Sequence, residues 1–304
     1  MPPTAPPLEQ MWPLINNLDW ADDSFSREKA YVCAVFSECA YWCIPRWELD
    51  RDGRVKLVPC DAYQELVRSA EATGAIIGEA LRKQDFPQPI IIARRYAVAV
   101  ILPIRPVIIV AIRGTKYLYD WLINLNVAKV TANFSDPTCR FHRGFARALG
   151  ACFPELAYRL REYASADTPV YVTGHSLGGA MAAVMHATNG RWRLHETWQG
   201  THSAYTFGMP RYGNFSAVVK CPSPYHIYVD ADIVPTVPPR WLGFEECGSE
   251  YRTDGVGLER AAARETLTFS SWLLRLASGV GVREHSMELY RARVAPTFKT
   301  SLPY

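Results

Sequence analysis

The pentapeptide Gly174-His175-Ser176-Leu177-Gly178 constrains this chain more than any other stretch. It is a Gly-x-Ser-x-Gly motif with the β-branched and aromatic run Val170-Tyr-Val-Thr173 before it and the helix-forming run Ala180-Met-Ala-Ala-Val-Met-His186 after it. That context predicts a strand that ends, turns sharply at a serine and enters a helix, with the serine exposed at the helix start. Gly174 and Gly178 stand two residues either side, where a side chain would collide with the tight turn. In a chain with 19 glycines the motif alone is moderate evidence, and the flanking strand and helix carry the argument.

A serine on such a turn needs a large sheet behind it. The chain has 304 residues, 49% of them apolar, enough for the core of one large α/β domain. No repeat, low-complexity linker or composition break divides it, so a single domain over 1–304 is expected, with 1–20 as a loose lead-in. The net charge of +3, from 33 basic and 30 acidic residues, is too mild and too dispersed to favour nucleic acid. The first residues lack the positive and apolar regions of an export signal, so a cytoplasmic or otherwise soluble protein is expected, secreted only if a signal has been removed. The most apolar segment, Ala97 to Ile112, is interrupted by Pro103, Arg105 and Pro106, so no transmembrane segment is expected. Eight cysteines form no Cys-x-x-Cys pair and no zinc-finger spacing, which argues against a metal site and for free buried thiols.

Along the chain, apolar residues at helical intervals predict a helix within Ser24 to Ile44, and Asp61 to Ala80 reads as one or two more. The period then changes. Ile90-Ile-Ile-Ala93, Tyr96 to Leu102 and Val107 to Ile112 are β-type runs, the last two joined by a Pro103-Ile-Arg-Pro106 hairpin turn. Lys116 to Leu125 carries Leu118, Trp121, Leu122 and Leu125 at helical spacing, as a short amphipathic flap would. A helix is expected from His142 to about Ser165, and strands at Ala204-Tyr-Thr-Phe207 and Tyr225 to Val229, each ending in a polar or glycine-rich loop. Glu245 to Tyr251 is too polar to assign, and Glu259 to Ala277 reads as a helix. Strands alternating with helices predict a mainly parallel sheet whose ligands bind beyond the strands' carboxyl ends.

Ser176 needs a base, because a serine hydroxyl is a weak nucleophile without one. On a sheet of this kind the nucleophile is followed by an acid and then by the histidine. That order selects His285, the only histidine C-terminal to the loop acids near residue 232; His175 is expected to face away from Ser176, and His142, His186, His195, His202 and His226 to be packing or surface residues. For the acid, Asp230 and Asp232 both follow a β-run, with Asp254 a weaker competitor. Asp232 leads, because Ile233-Val234-Pro235 can bury its loop and strengthen its hold on an imidazole, although a turn or helix cap is the commoner fate of such an aspartate. The oxyanion needs two donors. The N–H of Leu177, directly after the nucleophile, supplies one, and Thr115, behind a permissive Gly114, fits the other.

With these residues in hand the chain resembles a known family. Arg113-Gly-Thr115, Asp120-Trp-Leu122, His142-Arg-Gly-Phe145, Gly174-His-Ser-Leu-Gly-Gly179, Tyr205-Thr-Phe-Gly-Met-Pro210, Asp232-Ile-Val-Pro235 and His285-Ser-Met-Glu-Leu-Tyr290 occur in the order seen in class 3 lipases, the fungal triacylglycerol lipase-like family. The resemblance implies an α/β-hydrolase fold: a mainly parallel central sheet flanked by helices, with an N-terminal hairpin and a short lid helix. It also implies ester hydrolysis without a cofactor, a Ser176-Asp232-His285 triad, and an oxyanion hole at Thr115 and Leu177. Lys116 to Leu125 resembles the family's lid, which rolls aside in transient contact with a lipid interface. Two positions depart from the pattern: Asn124 stands where aspartate is frequent, and Ile112 replaces the usual phenylalanine.

The function expected is hydrolysis of carboxylic esters of lipids through an acyl-enzyme, as a triacylglycerol lipase or esterase. A phospholipase or acyltransferase would use the same residues. A catalytically silent hydrolase-like binding module is the alternative from another class.

Overall fold

A computed structural model of the protein describes residues 11–42, 89–94, 97–114, 127–131, 136–165, 167–188, 200–254, 257–261, 270, 274 and 283–296. Its strands are β1 (Ile90–Arg94), β2 (Ala97–Ile104), β3 (Val107–Ile112), β4 (Lys129–Val130), β5 (Phe141–His142), β6 (Val170–His175), β7 (Ser203–Phe207), β8 (Tyr225–Tyr228), β9 (Ser249–Thr253) and β10 (Leu258–Arg260). Its α-helices are α1 (Met11–Asn16), α2 (Arg27–Trp42), α3 (Arg143–Tyr163), α4 (Leu177–Ala187), α5 (Phe215–Lys220) and α6 (Met287–Val294).

The main sheet runs β1-β2-β3-β6-β7-β8-β9-β10. Pairing is parallel from β3 through β6, β7 and β8 to β9, and antiparallel at both edges. The β2–β3 hairpin forms where the prolines predicted it. In β3 all six side chains are buried, the continuous apolar pattern of a strand covered on both faces. The strand period sorts the core into two layers. Val98, Val100 and Leu102 face a cluster with α1, α2 and α6, whereas Ala97, Ala99 and Ile101 face one with α3 and α4. Helices thus cover both faces, and every parallel strand delivers its carboxyl end to the same rim.

Three expectations need correction or completion. Residues 11–20, expected as part of a loose lead-in, form α1 and a buried anchor: Met11 and Ile15 are fully buried, and Trp20 donates to the Ile15 carbonyl at 2.9 Å and sits edge-on to Tyr171. The apolar residues there are too few to display a period, and only the sheet beneath explains their burial. Ser249–Thr253, within and beyond the stretch too polar to assign, is β9, in which Glu250 and Thr253 are buried. The helix expected from Glu259 does not begin there, since Leu258–Arg260 pairs antiparallel with β9. The helices expected within 61–80 lie outside the described residues, as does most of 262–280. Among the described residues six cysteines are unbridged, and Cys33, Cys39, Cys139, Cys152 and Cys247 among them are buried.

Candidate active site

β6 ends at His175, and Ser176 takes φ 59°, ψ −131° before α4 starts at Leu177. This is the only positive φ at a non-glycine position among the described residues. Such a conformation costs of order 1–3 kcal/mol, so its neighbours must over-determine it. They do so by contact. A Cβ on Gly178 would overlap the Ile112 carbonyl oxygen at the end of β3, and one on Gly114 would overlap the Tyr41 hydroxyl and lie 2.6 Å from the His175 carbonyl oxygen. The Ser176 N–H is held by the Phe207 carbonyl at 2.9 Å, and the Ser176 carbonyl accepts from Ala180 at 3.1 Å. The serine is therefore fixed between the ends of β3 and β7, with the first-turn N–H groups of α4 beside it.

His285 precedes α6 in a 3-10 turn and is buried. Its Nδ1 donates to Asp232 Oδ2 at 2.7 Å. Asp232 lies beyond β8 and is held by further donors: Val234 N–H on Oδ1 at 2.9 Å and the Tyr290 hydroxyl on Oδ2 at 2.7 Å. That hydroxyl in turn accepts from Val229 N–H at 3.3 Å, so Tyr290 ties α6, β8 and the acid together. The competing acids are elsewhere. Asp230 is exposed and pairs with Arg252 at 3.4 Å, and Asp254 lies exposed at the end of β9.

With Nδ1 committed to Asp232, the imidazole has Nε2 left for chemistry. Nε2 of His285 and Oγ of Ser176 are both buried and have no hydrogen-bond partner among the described residues. His175, given no part in the site by the sequence, packs its ring against His285, with centroids 4.4 Å apart. Burial, and then the neighbouring His285, depress His175 well below the usual histidine value, so it stays neutral beside the second imidazole. Its Nδ1 shares a hydrogen bond with the Tyr41 hydroxyl at 2.8 Å. The helix expected merely to cover the sheet, α2, thus reaches the site through Tyr41, and also bonds β6 through Ser37 and Thr173 at 2.8 Å.

Leu177 is the first residue of α4, so its N–H is one of the first-turn donors that have no partner within the helix. Thr115 and the flap residues Leu118, Trp121, Leu122 and Leu125 lie outside the described residues. Gly114, immediately before Thr115, lies beside the serine: its added Cβ would stand 3.1 Å from Ser176 Cβ. Sequence reasoning assigned no role to Tyr41, His175, Tyr290 or Arg211. Only Tyr290 carried a usable signal, its place five residues after His285. Arg211 clamps the acid loop from β7: it donates to the carbonyls of Thr236 and, at 2.9 Å, Pro238, and pairs with Glu246.

A model of the family described as "Lipase (class 3)" matches residues 109–241. A secreted mono- and diacylglycerol lipase 1 from Fusarium solani is 31% identical over 166 residues, covering 51% of this chain and 46% of that protein. A phospholipase A1-II 1 from Oryza sativa subsp. indica is 29% identical over 220 residues, covering 62% of this chain and 50% of that one. The chain spans about half the length of the curated relatives it matches. Among solved structures, a Rhizomucor miehei lipase propeptide complex superposes with a TM-score of 0.56 at 22% identity, over 90% of this chain and 84% of that one. The architecture is that of the α/β-hydrolases.

Proposed function

We propose that this chain is a member of the class 3 lipase family, which its match to that family over residues 109–241 supports, and a serine hydrolase that cleaves carboxylic esters of lipids through an acyl-enzyme. In this reading Ser176 Oγ attacks the ester carbonyl carbon while His285 Nε2 takes its proton. The N–H of Leu177, together with Thr115, binds the oxyanion of the tetrahedral intermediate. Collapse of that intermediate expels the alcohol, which leaves with the proton held by His285. Water, deprotonated by the same nitrogen, then releases the fatty acid and restores Ser176. Asp232 keeps Nδ1 protonated and stabilises the imidazolium during both steps. Lys116 to Leu125 serves as the lid over this centre.

One observation supports the reading: a buried serine in a strained backbone conformation directly follows a histidine whose ring packs, centroids 4.4 Å apart, against an imidazole tied to a fully buried carboxylate. A core histidine or a helix cap does not need that combination. Its test is Ser176→Ala. Turnover of a short chromogenic ester is expected to fall at least about a thousandfold, with the thermal midpoint kept. Undiminished turnover in that variant contradicts the proposal.

The phospholipase reading uses the same residues and draws on the likeness to the rice phospholipase A1-II 1. Release of fatty acid from the first position of a phospholipid, compared with a triacylglycerol, separates the two. Two relatives are named as secreted lipases, and we carry this to a proposal that the chain meets its lipid from the water side. No helix among the described residues is long and apolar enough to cross a membrane.

A further inference from the structure

The 3-10 turn Arg240–Leu242 presents a pair of large apolar side chains to water: Trp241 is 50% exposed and Leu242 38%. Scattered single hydrophobics need no explanation, but this pair sits on a backbone that is held from several sides. Arg240 binds Glu245 at 2.7 Å and Glu246 at 3.2 Å. Lys129 Nζ donates to the Leu242 carbonyl at 2.6 Å and lies 4.2 Å from the Phe244 ring centroid. Phe244, two residues on, is buried and anchors the turn to the body of the protein. The turn is therefore a firm projection, and its two apolar groups point out of it.

Its position is on the rim where the strands deliver their carboxyl ends. The segment leading to it leaves β8, carries Asp232, and is gripped by Arg211 from the end of β7. β4, which supplies Lys129, lies a few residues beyond the 116–125 flap in the chain. The surrounding charge is mainly positive. Lys129, Arg140 and Arg240 cluster there, Arg140 lying close enough to add to the burial that lowers the Lys129 pKa. The acids Glu245 and Glu246 are half-buried and committed to Arg240 and Arg211. An indole and an aliphatic side chain flanked by Lys129 and Arg240, with Arg140 near Lys129, match the boundary of an anionic lipid surface, where the ring sits at headgroup depth and the cations meet lipid phosphates or carboxylates.

We propose that Arg240–Leu242, with Lys129 and Arg140, is a docking surface for an anionic lipid–water interface, distinct from the flap, that holds the site mouth against the lipid. This deepens the proposed function and rests on that reading for its biological sense. Its test does not require turnover. In the Ser176→Ala protein, partition onto vesicles of phosphatidylcholine doped with phosphatidylglycerol is measured by sedimentation. Adding Trp241→Ser and Leu242→Ser is expected to weaken partition about tenfold or more. Arg140→Gln is expected to weaken it about fivefold on the doped vesicles and not on phosphatidylcholine alone.

With Ser176 intact, the Trp241→Ser, Leu242→Ser enzyme is expected to keep its rate on a dissolved short-chain ester within about twofold, since neither side chain touches the reacting atoms. Unchanged partition would overturn the docking surface. So would an equal loss of rate on the dissolved ester, which would make the pair structural, or loss of self-association in place of lipid binding, which would make the patch a protein contact. An enzyme inert on every ester would instead sink the proposed function, and partition would still report on the surface.

Discussion

Asp232 and Asp230 are two residues apart on one loop, yet one is fully buried with three donors and the other exposed against Arg252. Chain order could narrow the acid to this loop, and the apolar Ile233-Val234-Pro235 favoured Asp232. Three-dimensional burial is what separates them. Asp232→Asn would leave the packing but let the imidazole take the wrong tautomer, so kcat should fall about 10³- to 10⁴-fold with little change in KM. Tyr290→Phe keeps the ring and removes one donor from the carboxylate. About a tenfold loss in kcat is expected, and because Tyr290 acts through Asp232 and His285, the pH profile of kcat should shift as well. A loss confined to thermal stability, with the profile unmoved, would make Tyr290 merely structural. The contact made by His175 was not legible, because a residue's place beside the nucleophile does not tell what a distant segment brings to its ring. The ring it meets, His285, comes from more than a hundred residues away.

At the scale of elements, the sheet was legible because its strands are apolar enough to outvote their surroundings. The Val107–Ile112 run is buried on both faces, and its period and composition announce that. β9 was not legible, since Ser249-Glu-Tyr-Arg-Thr253 has polar residues even at its buried positions and depends on β8 for its place. The meeting of β3 with α4 was legible in part, through the glycines. Gly178→Ala would drive a methyl into the Ile112 carbonyl, and a loss of about 3 kcal/mol or failure to fold is expected from denaturant unfolding. The clamp on the acid loop was invisible, because an arginine after Gly-Met-Pro carries no pattern of its own. Arg211→Met leaves Glu246 with Arg240 alone and removes donors from the Thr236 and Pro238 carbonyls. Stability should fall by about 3 kcal/mol, read as a shifted denaturant midpoint, and activity should fall further than a distant core change of equal cost would cause.

For the whole molecule, acid sensitivity follows from histidines that the core keeps neutral. His186 is buried on α4, shares a hydrogen bond with Thr201 at 2.8 Å, and is pushed down by burial to about 4 from 6.5. Between those values the unfolded chain binds a proton that the folded chain refuses. The associated stability is fully present above pH 6.5 and is lost as the pH falls toward 4, by up to about 3 kcal/mol. His175, lowered in the same direction, adds to the slope. The denaturant midpoint should therefore drop across this window, and His186→Asn should flatten the drop; an unchanged slope in that variant would contradict the assignment. The larger claim is that α2, β3, β6, the loop after β8 and the turn before α6 converge to make one buried serine reactive. The most direct measurement is mass analysis after treatment with an active-serine phosphonate. One label on Ser176 is predicted, absent in Ser176→Ala and slowed at least about a thousandfold in His285→Ala. No label on the native protein, or a label that forms as fast without His285, would contradict the account.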